Sequence, residues 1–207
     1  MNKSILSLLI FGLSIVSFGQ NTDTDLKITS IHQLDEYDIQ NIFGFQGIKY
    51  QKLKFIGNDF KNKTYKITAK EFLDGNIVTD TLVFDSAEMY YDELKKVKDT
   101  ILEITVLAKQ IDNTTLKMEF IFPRFSLPRE YKVLDLKNKY SLRNIASESK
   151  LDIRYNEKFY LLAYIQPYDR KDGTLSYCDV GLSGMDIENW VKKFDIKHYW
   201  TFEMEFK

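Results

Sequence analysis

Apolar and polar residues alternate with a period of two along much of this chain. The cleanest run is the last, IKHYWTFEMEF. Ile196, His198, Trp200, Phe202, Met204 and Phe206 share one parity; Lys197, Tyr199, Thr201, Glu203 and Glu205 share the other. That pattern predicts a strand with one buried and one solvated face. Residues 63–72 (KTYKITAKEF) and 77–84 (IVTDTLVF) flank Asp74-Gly75-Asn76. Asp-Gly between two β-prone runs predicts a hairpin. Residues 101–110 and 115–122 flank Asp112-Asn113 and predict a second. Residues 159–168 and 174–182 flank DRKDG and predict a third. GIKYQKLKFIG (47–57) reads as a further strand. In SLRNIASESKLDIRYNEK (141–158), a loop leads into a short strand from Lys150 to Tyr155.

Helical spacing occurs in two places. In DSAEMYYDELKKV (85–97), Asp85 or Ser86 is placed to cap, with Tyr90, Leu94 and Val97 following at helical intervals. In SGMDIENWVKKF (183–194), Asp186 is placed to cap. Ile187, Trp190, Val191 and Phe194 fall at i, i+3, i+4 and i+7, and Lys192 and Lys193 sit where the helix dipole favours cations. Residues 28–47 predict a strand and then a short helix. Hairpins impose antiparallel pairing, because parallel neighbours need long crossovers. The predicted fold is mainly β: an antiparallel two-sheet sandwich of about eight strands with one or two short helices, over a single domain of residues 21–207. A transmembrane β-barrel is the rival, invited by the aromatic last strand. Frequent Lys and Glu on the facing positions and a terminal Lys207 argue against it.

The first twenty residues follow another rule. Lys3 is the only charge before Asp23, residues 5–18 are apolar or small, and Gly19-Gln20 leads into a polar stretch. This predicts a cleavable export signal over residues 1–20. The apolar run is about 14 residues, short of the roughly 20 that a membrane anchor requires. No cysteine lies near the cleavage region, so a lipid anchor there is excluded. The expected location is the periplasm or beyond, with no transmembrane segment in the mature chain.

Composition narrows the function classes. Of 207 residues, Lys and Arg contribute 29 and Asp and Glu 30, so nothing offsets a nucleic-acid backbone and nucleic acid is excluded as a partner. One cysteine permits no internal disulfide, so the core alone must stabilise an exported domain.

Few residues suggest chemistry. Cys178 and His198 could form a nucleophile–base pair. However, Cys178 lies in a strand-like run without a protease signature, which predicts a small buried hydrophobe. His198 sits at an apolar-phase position, which predicts a satisfied core residue. His32 and His198 share no metal-ligand spacing, DRKDG lacks the acidic alternation of a calcium loop, and no nucleotide or cofactor fingerprint occurs. No catalytic residue, metal ligand or cofactor is assigned. Tyr90, Tyr91, Tyr164, Tyr168 and Tyr199 are candidates for an aromatic ligand-binding platform. Their alternative role is core packing.

Two stretches carry a resemblance. The end of the leader, SFGQ, resembles signal peptides of the Bacteroidota, and residues 60–75 (FKNKTYKITAKEFLDG) resemble the style of secreted β-rich proteins of that group. The resemblance implies no activity. It does imply O-glycosylation at Asp-hydroxyl-apolar or -small triplets, which places candidate acceptors at Thr81, Ser86 and Thr100. The expected function is an exported, non-enzymatic binding or interaction module of the cell envelope, its partner an envelope protein or a glycan. The alternatives are a polysaccharide-directed hydrolase using paired carboxylates and a structural subunit of a surface assembly.

Overall fold

A computed structural model describes residues 26–31, 37–134, 139–170, 172–183 and 186–207. The predicted export signal and His32 lie outside the described residues. Strands β1 (Lys27–Ile31), β2 (Lys49–Ile56), β5 (Ile101–Gln110), β6 (Thr115–Ile121) and β7 (Ser126–Lys132) form one antiparallel sheet in the order β1-β2-β5-β6-β7. Strands β3 (Tyr65–Leu73), β4 (Asn76–Asp85), β8 (Ser141–Arg143), β9 (Lys158–Ile165) and β12 (His198–Phe206) form the other, in the order β4-β3-β12-β9-β8. The two sheets face each other across one core. Leu53, Phe55, Ile104, Val106, Met118 and Phe120 meet Ile67, Ala69, Phe202, Met204 and Phe206 there, all at or near complete burial. Neither strand order closes on itself, so the architecture is a sandwich and not a barrel. Among the described residues, no helix is long and apolar enough to cross a membrane.

The strongest turn signal performs as the chemistry requires. Leu73 pairs with Asn76, leaving Asp74 (φ 49°) and Gly75 (φ 81°) as a two-residue loop with both residues left-handed. That conformation matches strand twist and is tolerated by Asp-Gly. At the second hairpin, the Asp112 carboxylate accepts the backbone N–H groups of Thr114 and Thr115, both at 2.8 Å.

The third predicted hairpin forms, but only as a pair of two-residue strands. β9 pairs with β8 and β12, and Pro167 removes a ladder donor just after it. Only the two-residue strands β10 (Tyr168–Asp169) and β11 (Leu175–Ser176) pair beyond it. Residues 178–181 form a helical turn, α4 (Cys178–Gly181), whose Val180 is buried. The short strand predicted over 150–155 is absent. Lys150 (φ 50°) and Asn156 (φ 63°) bracket that segment with left-handed backbone, which breaks a ladder. β8 and the turn α3 (Ile145–Glu148) occupy what reads as loop.

The helices are shorter than the periodicity predicts. Residues 85–97 split into a 3-10 turn (Ser86–Glu88) and α2 (Asp92–Lys95); Asp85 does cap, accepting the Ala87 N–H at 3.0 Å. Near the C-terminus a 3-10 turn (Ile187–Asn189) runs into α5 (Trp190–Phe194). Asp186 makes no side-chain cap, because its carboxylate is taken by Asn189 Nδ2 and Lys193. The predicted N-terminal helix is present as α1 (Tyr37–Phe45).

β12 also departs from expectation. Its second face is not solvated: Tyr199, Thr201 and Glu203 are buried. Tyr199 lies under the C-terminal helical segment, in a second apolar cluster with Phe72, Ile165, Val180, Ile187 and Trp190. Glu203 is covered by Lys70, whose ammonium sits 2.7 Å away, and by Lys158 at 3.8 Å. The β4–β3–β12–β9–β8 sheet is therefore the middle layer over part of its width.

Candidate functional site

On the open side of the sandwich, the edge strands β4 and β7 border a groove of about 440 Å³. Strand register sets its wall. Thr79 of β4 stands opposite Glu71 of β3, and Glu71 stands opposite Trp200 of β12. β7 contributes Arg129, Glu130, Tyr131 and Lys132. Two ties fasten the strands across the gap. Trp200 Nε1 donates to the Lys132 carbonyl at 2.7 Å, and Arg129 Nη2 donates to the Val83 carbonyl at 2.7 Å.

Glu71 occupies a position that alternation reserves for an apolar residue, in phase with Tyr65, Ile67 and Ala69. It is satisfied by polar neighbours. Thr79 Oγ1 donates to one carboxylate oxygen at 2.7 Å, and His198 Nε2 lies 3.1 Å from the other. His198 is diagonal to Glu71, because its own partner, Leu73, is two residues along β3. Behind it, Tyr140 Oη lies 2.7 Å from His198 Nδ1. Tyr140 stacks on Tyr164 with centroids 5.0 Å apart and planes 1° from parallel.

The hydrogen-bond count fixes the direction of this chain. Tyr140 Oη accepts from Gln166 Nε2 at 3.0 Å and from the Leu134 amide at 3.3 Å. Both acceptor positions are then used, so its own proton goes to His198 Nδ1. The neutral imidazole therefore carries its hydrogen on Nε2 and donates it to Glu71. Burial lowers the His198 pKa, with the hydrogen bond and charge of Glu71 acting the other way. Burial also pushes the Tyr140 phenol up to about 12. Both shifts keep the chain in this protonation state at neutral pH. It is a rigid backing for the groove rather than a nucleophile system, since the Thr79 hydroxyl is committed to Glu71.

The sequence-predicted candidates do not converge here. His198 is the satisfied core residue expected, 1% exposed. Cys178 is exposed and opens α4, so the expectation of a buried strand cysteine is corrected. It is not hydrogen-bonded to His198, whose two nitrogens are engaged by Tyr140 and Glu71. Of the five platform tyrosines, Tyr164, Tyr168 and Tyr199 are buried. Tyr199 stacks on Phe72 at 4.7 Å and donates to the Ile187 carbonyl at 2.8 Å; Tyr168 packs on Phe194 and donates to Asp179. Only Tyr90 and Tyr91 are exposed, edge to face at 5.0 Å. Ser86 is completely buried: its Oγ accepts the Tyr65 N–H and donates to the Lys95 carbonyl. Thr81 and Thr100 are exposed, and Thr81 lines the groove.

Sequence reasoning missed Glu71, Thr79, Arg129 and Lys132. Two signals were present: a glutamate in the inward phase of β3, and an arginine in the inward phase of β7. Among the described residues, no group of three or more His, Cys, Asp or Glu side chains is placed to hold a metal ion. Comparison with protein-family models, curated proteins and solved structures gives no significant match.

Proposed function

We propose that this protein is an exported, non-enzymatic binding module of the cell envelope, and that its groove takes an uncharged, hydroxyl-rich ligand such as a segment of envelope glycan. The observation that carries the reading is the lining. Glu71 and Arg129 bring one carboxylate and one cation to the groove, Thr81 adds a hydroxyl, and Glu130 and Lys132 stand at its edge on the outward phase of β7. The charges cancel, so the groove favours a neutral ligand that both donates and accepts hydrogen bonds. The Tyr131 and Trp200 rings, 4.6 Å apart and both buried, form a fixed floor beneath the groove and do not present a stacking face. The backing is preorganised, which lowers the entropic cost of binding. Export rests on the N-terminal pattern of Lys3 followed by the apolar run.

One observation favours a second reading, a hydrolase of envelope polysaccharide. Two acidic residues, Glu71 and Glu130, belong to the same groove, and glycoside hydrolysis uses a pair of carboxylates. One experiment separates the two. Oligosaccharides released from native envelope are titrated into the protein, with tryptophan fluorescence as the binding signal and new reducing ends as the cleavage signal. Saturable binding without reducing ends, abolished by Thr81→Arg with an unchanged melting temperature, supports the binding module. Reducing ends that vanish in Glu130→Gln establish the hydrolase. Neither binding nor cleavage refutes the groove as a glycan site.

A further inference from the structure

A second cavity lies at one end of the sandwich and has different chemistry. It measures about 230 Å³ and sits between the segment around α2, the start of β5 and the β6–β7 turn. Its floor is apolar. Tyr65, Val97 and Leu102 are buried there, and Phe125 stacks on Phe122 at 4.5 Å. Its rim is cationic: Lys96, Lys98 and Arg124 are exposed at the opening, and none of them forms an ion pair among the described residues. Two acids share the lining. Asp99 accepts the Thr100 N–H at 2.7 Å but keeps its charge, so two acids face three cations and the rim carries one net positive charge.

The cavity is held in shape by the backbone. The Val97 N–H donates to the Lys63 carbonyl at 2.9 Å, and the Val97 carbonyl accepts the Asn62 N–H at 2.8 Å. Ser86 Oγ binds the Lys95 carbonyl at 2.7 Å, closing the segment on itself. A fixed apolar floor below a rim of three exposed cations and net positive charge is complementary to one kind of molecule. We propose that this cavity binds a small amphiphilic carboxylate, its apolar body on Tyr65, Val97, Leu102 and Phe125 and its head group among Lys96, Lys98 and Arg124. At the roughly 30 Å³ that a water molecule occupies in the liquid, the volume holds about eight non-hydrogen atoms. That is the size of a single aromatic ring or an alkyl chain of about eight carbons, with the carboxylate oxygens outside at the rim.

The probe is sodium octanoate, titrated into the isotope-labelled protein and followed by amide NMR shifts. The expected result is saturable shifts confined to Lys96–Leu102 and Pro123–Phe125, with the indole N–H of Trp200 unmoved. Octan-1-ol, which has the chain without the charge, and butyrate, which has the charge without the chain, should each bind at least about tenfold more weakly. The double variant Lys98→Glu, Arg124→Glu changes two exposed side chains and should weaken octanoate by about tenfold or more with an unchanged melting temperature. No saturable shift by about 10 mM octanoate overturns the proposal. So does equal affinity for octanol, equal affinity in the double variant, or shifts centred on the β4–β7 groove.

Discussion

Two tyrosine-to-phenylalanine substitutions test the account of the buried chain behind the groove, because they remove the same atom with opposite expected results. In Tyr140→Phe the ring and its stack on Tyr164 survive and only the hydroxyl is lost. His198 Nδ1 then loses its only partner, in a residue 1% exposed, and Gln166 Nε2 loses its acceptor, in a residue 9% exposed. The Leu134 amide, on an exposed residue, can turn to water. Leaving a buried polar group unsatisfied costs about 1–3 kcal/mol. Two such groups, one near the surface, give about 2–4 kcal/mol, or a melting temperature lower by about 5–15 °C for a domain of this size. Tyr131 is the control. Its hydroxyl is buried without a hydrogen-bond partner among the described residues, and burial raises its pKa. Tyr131→Phe keeps the contacts with Trp200 and Phe202 and removes an unsatisfied group, so stability should be unchanged or higher. Urea denaturation of the two variants beside wild type, at fixed pH, gives both differences. A Tyr140→Phe variant within about 0.5 kcal/mol of wild type would refute the reasoning. So would a Tyr131→Phe variant that loses as much as Tyr140→Phe.

Three further predictions follow from burial and charge. Burial lowers the His198 pKa, so below the ordinary imidazole value of about 6.5 the unfolded chain binds the proton more readily. Its contribution to stability is present above that value and is lost as pH falls toward the folded value; denaturation midpoints from pH 8 to 5 should therefore drop more steeply in wild type than in His198→Gln. Trp190 is fully buried, packs on Tyr199 at 5.0 Å and donates to Ser183 Oγ at 2.6 Å, so Trp190→Ala should cost about 3–5 kcal/mol by calorimetry. If the Asp-hydroxyl triplets are used, intact mass of the folded native protein should show glycans at Thr81 and Thr100 and none at Ser86. A glycan on Thr81 should also block ligand entry to the groove.

The parts of the fold legible in the sequence were those fixed within a few residues. Asp74-Gly75 dictates a turn by its left-handed backbone, and the inward parity of β12 is visible because Trp200, Phe202, Met204 and Phe206 recur without interruption. The other parity misleads for a tertiary reason. Whether Tyr199 meets water depends on the fold of residues 177–194, and whether Glu203 does depends on Lys70, 133 positions earlier. β7 was hidden by its own edge position: Pro128 and the flanking charges suit an edge strand and erase the usual signature. The groove was illegible as a whole, since its lining comes from four strands and both sheets. Only its individual anomalies, such as Glu71 in an apolar phase, could be seen.

The place of β12 bears on the order in which the protein can be assembled. It is the last strand among the described residues, yet it joins β3 to β9 at the centre of its sheet. A nascent polypeptide reaching only residue 197 holds two half-sheets with no seam between them. The side chains that will bury Phe202 and Met204 face water until that strand arrives. Closing contacts this distant in sequence is slow, because the loop entropy is lost before the pairing is gained. The sheet should therefore stay open until residues 198–206 arrive, and close on them.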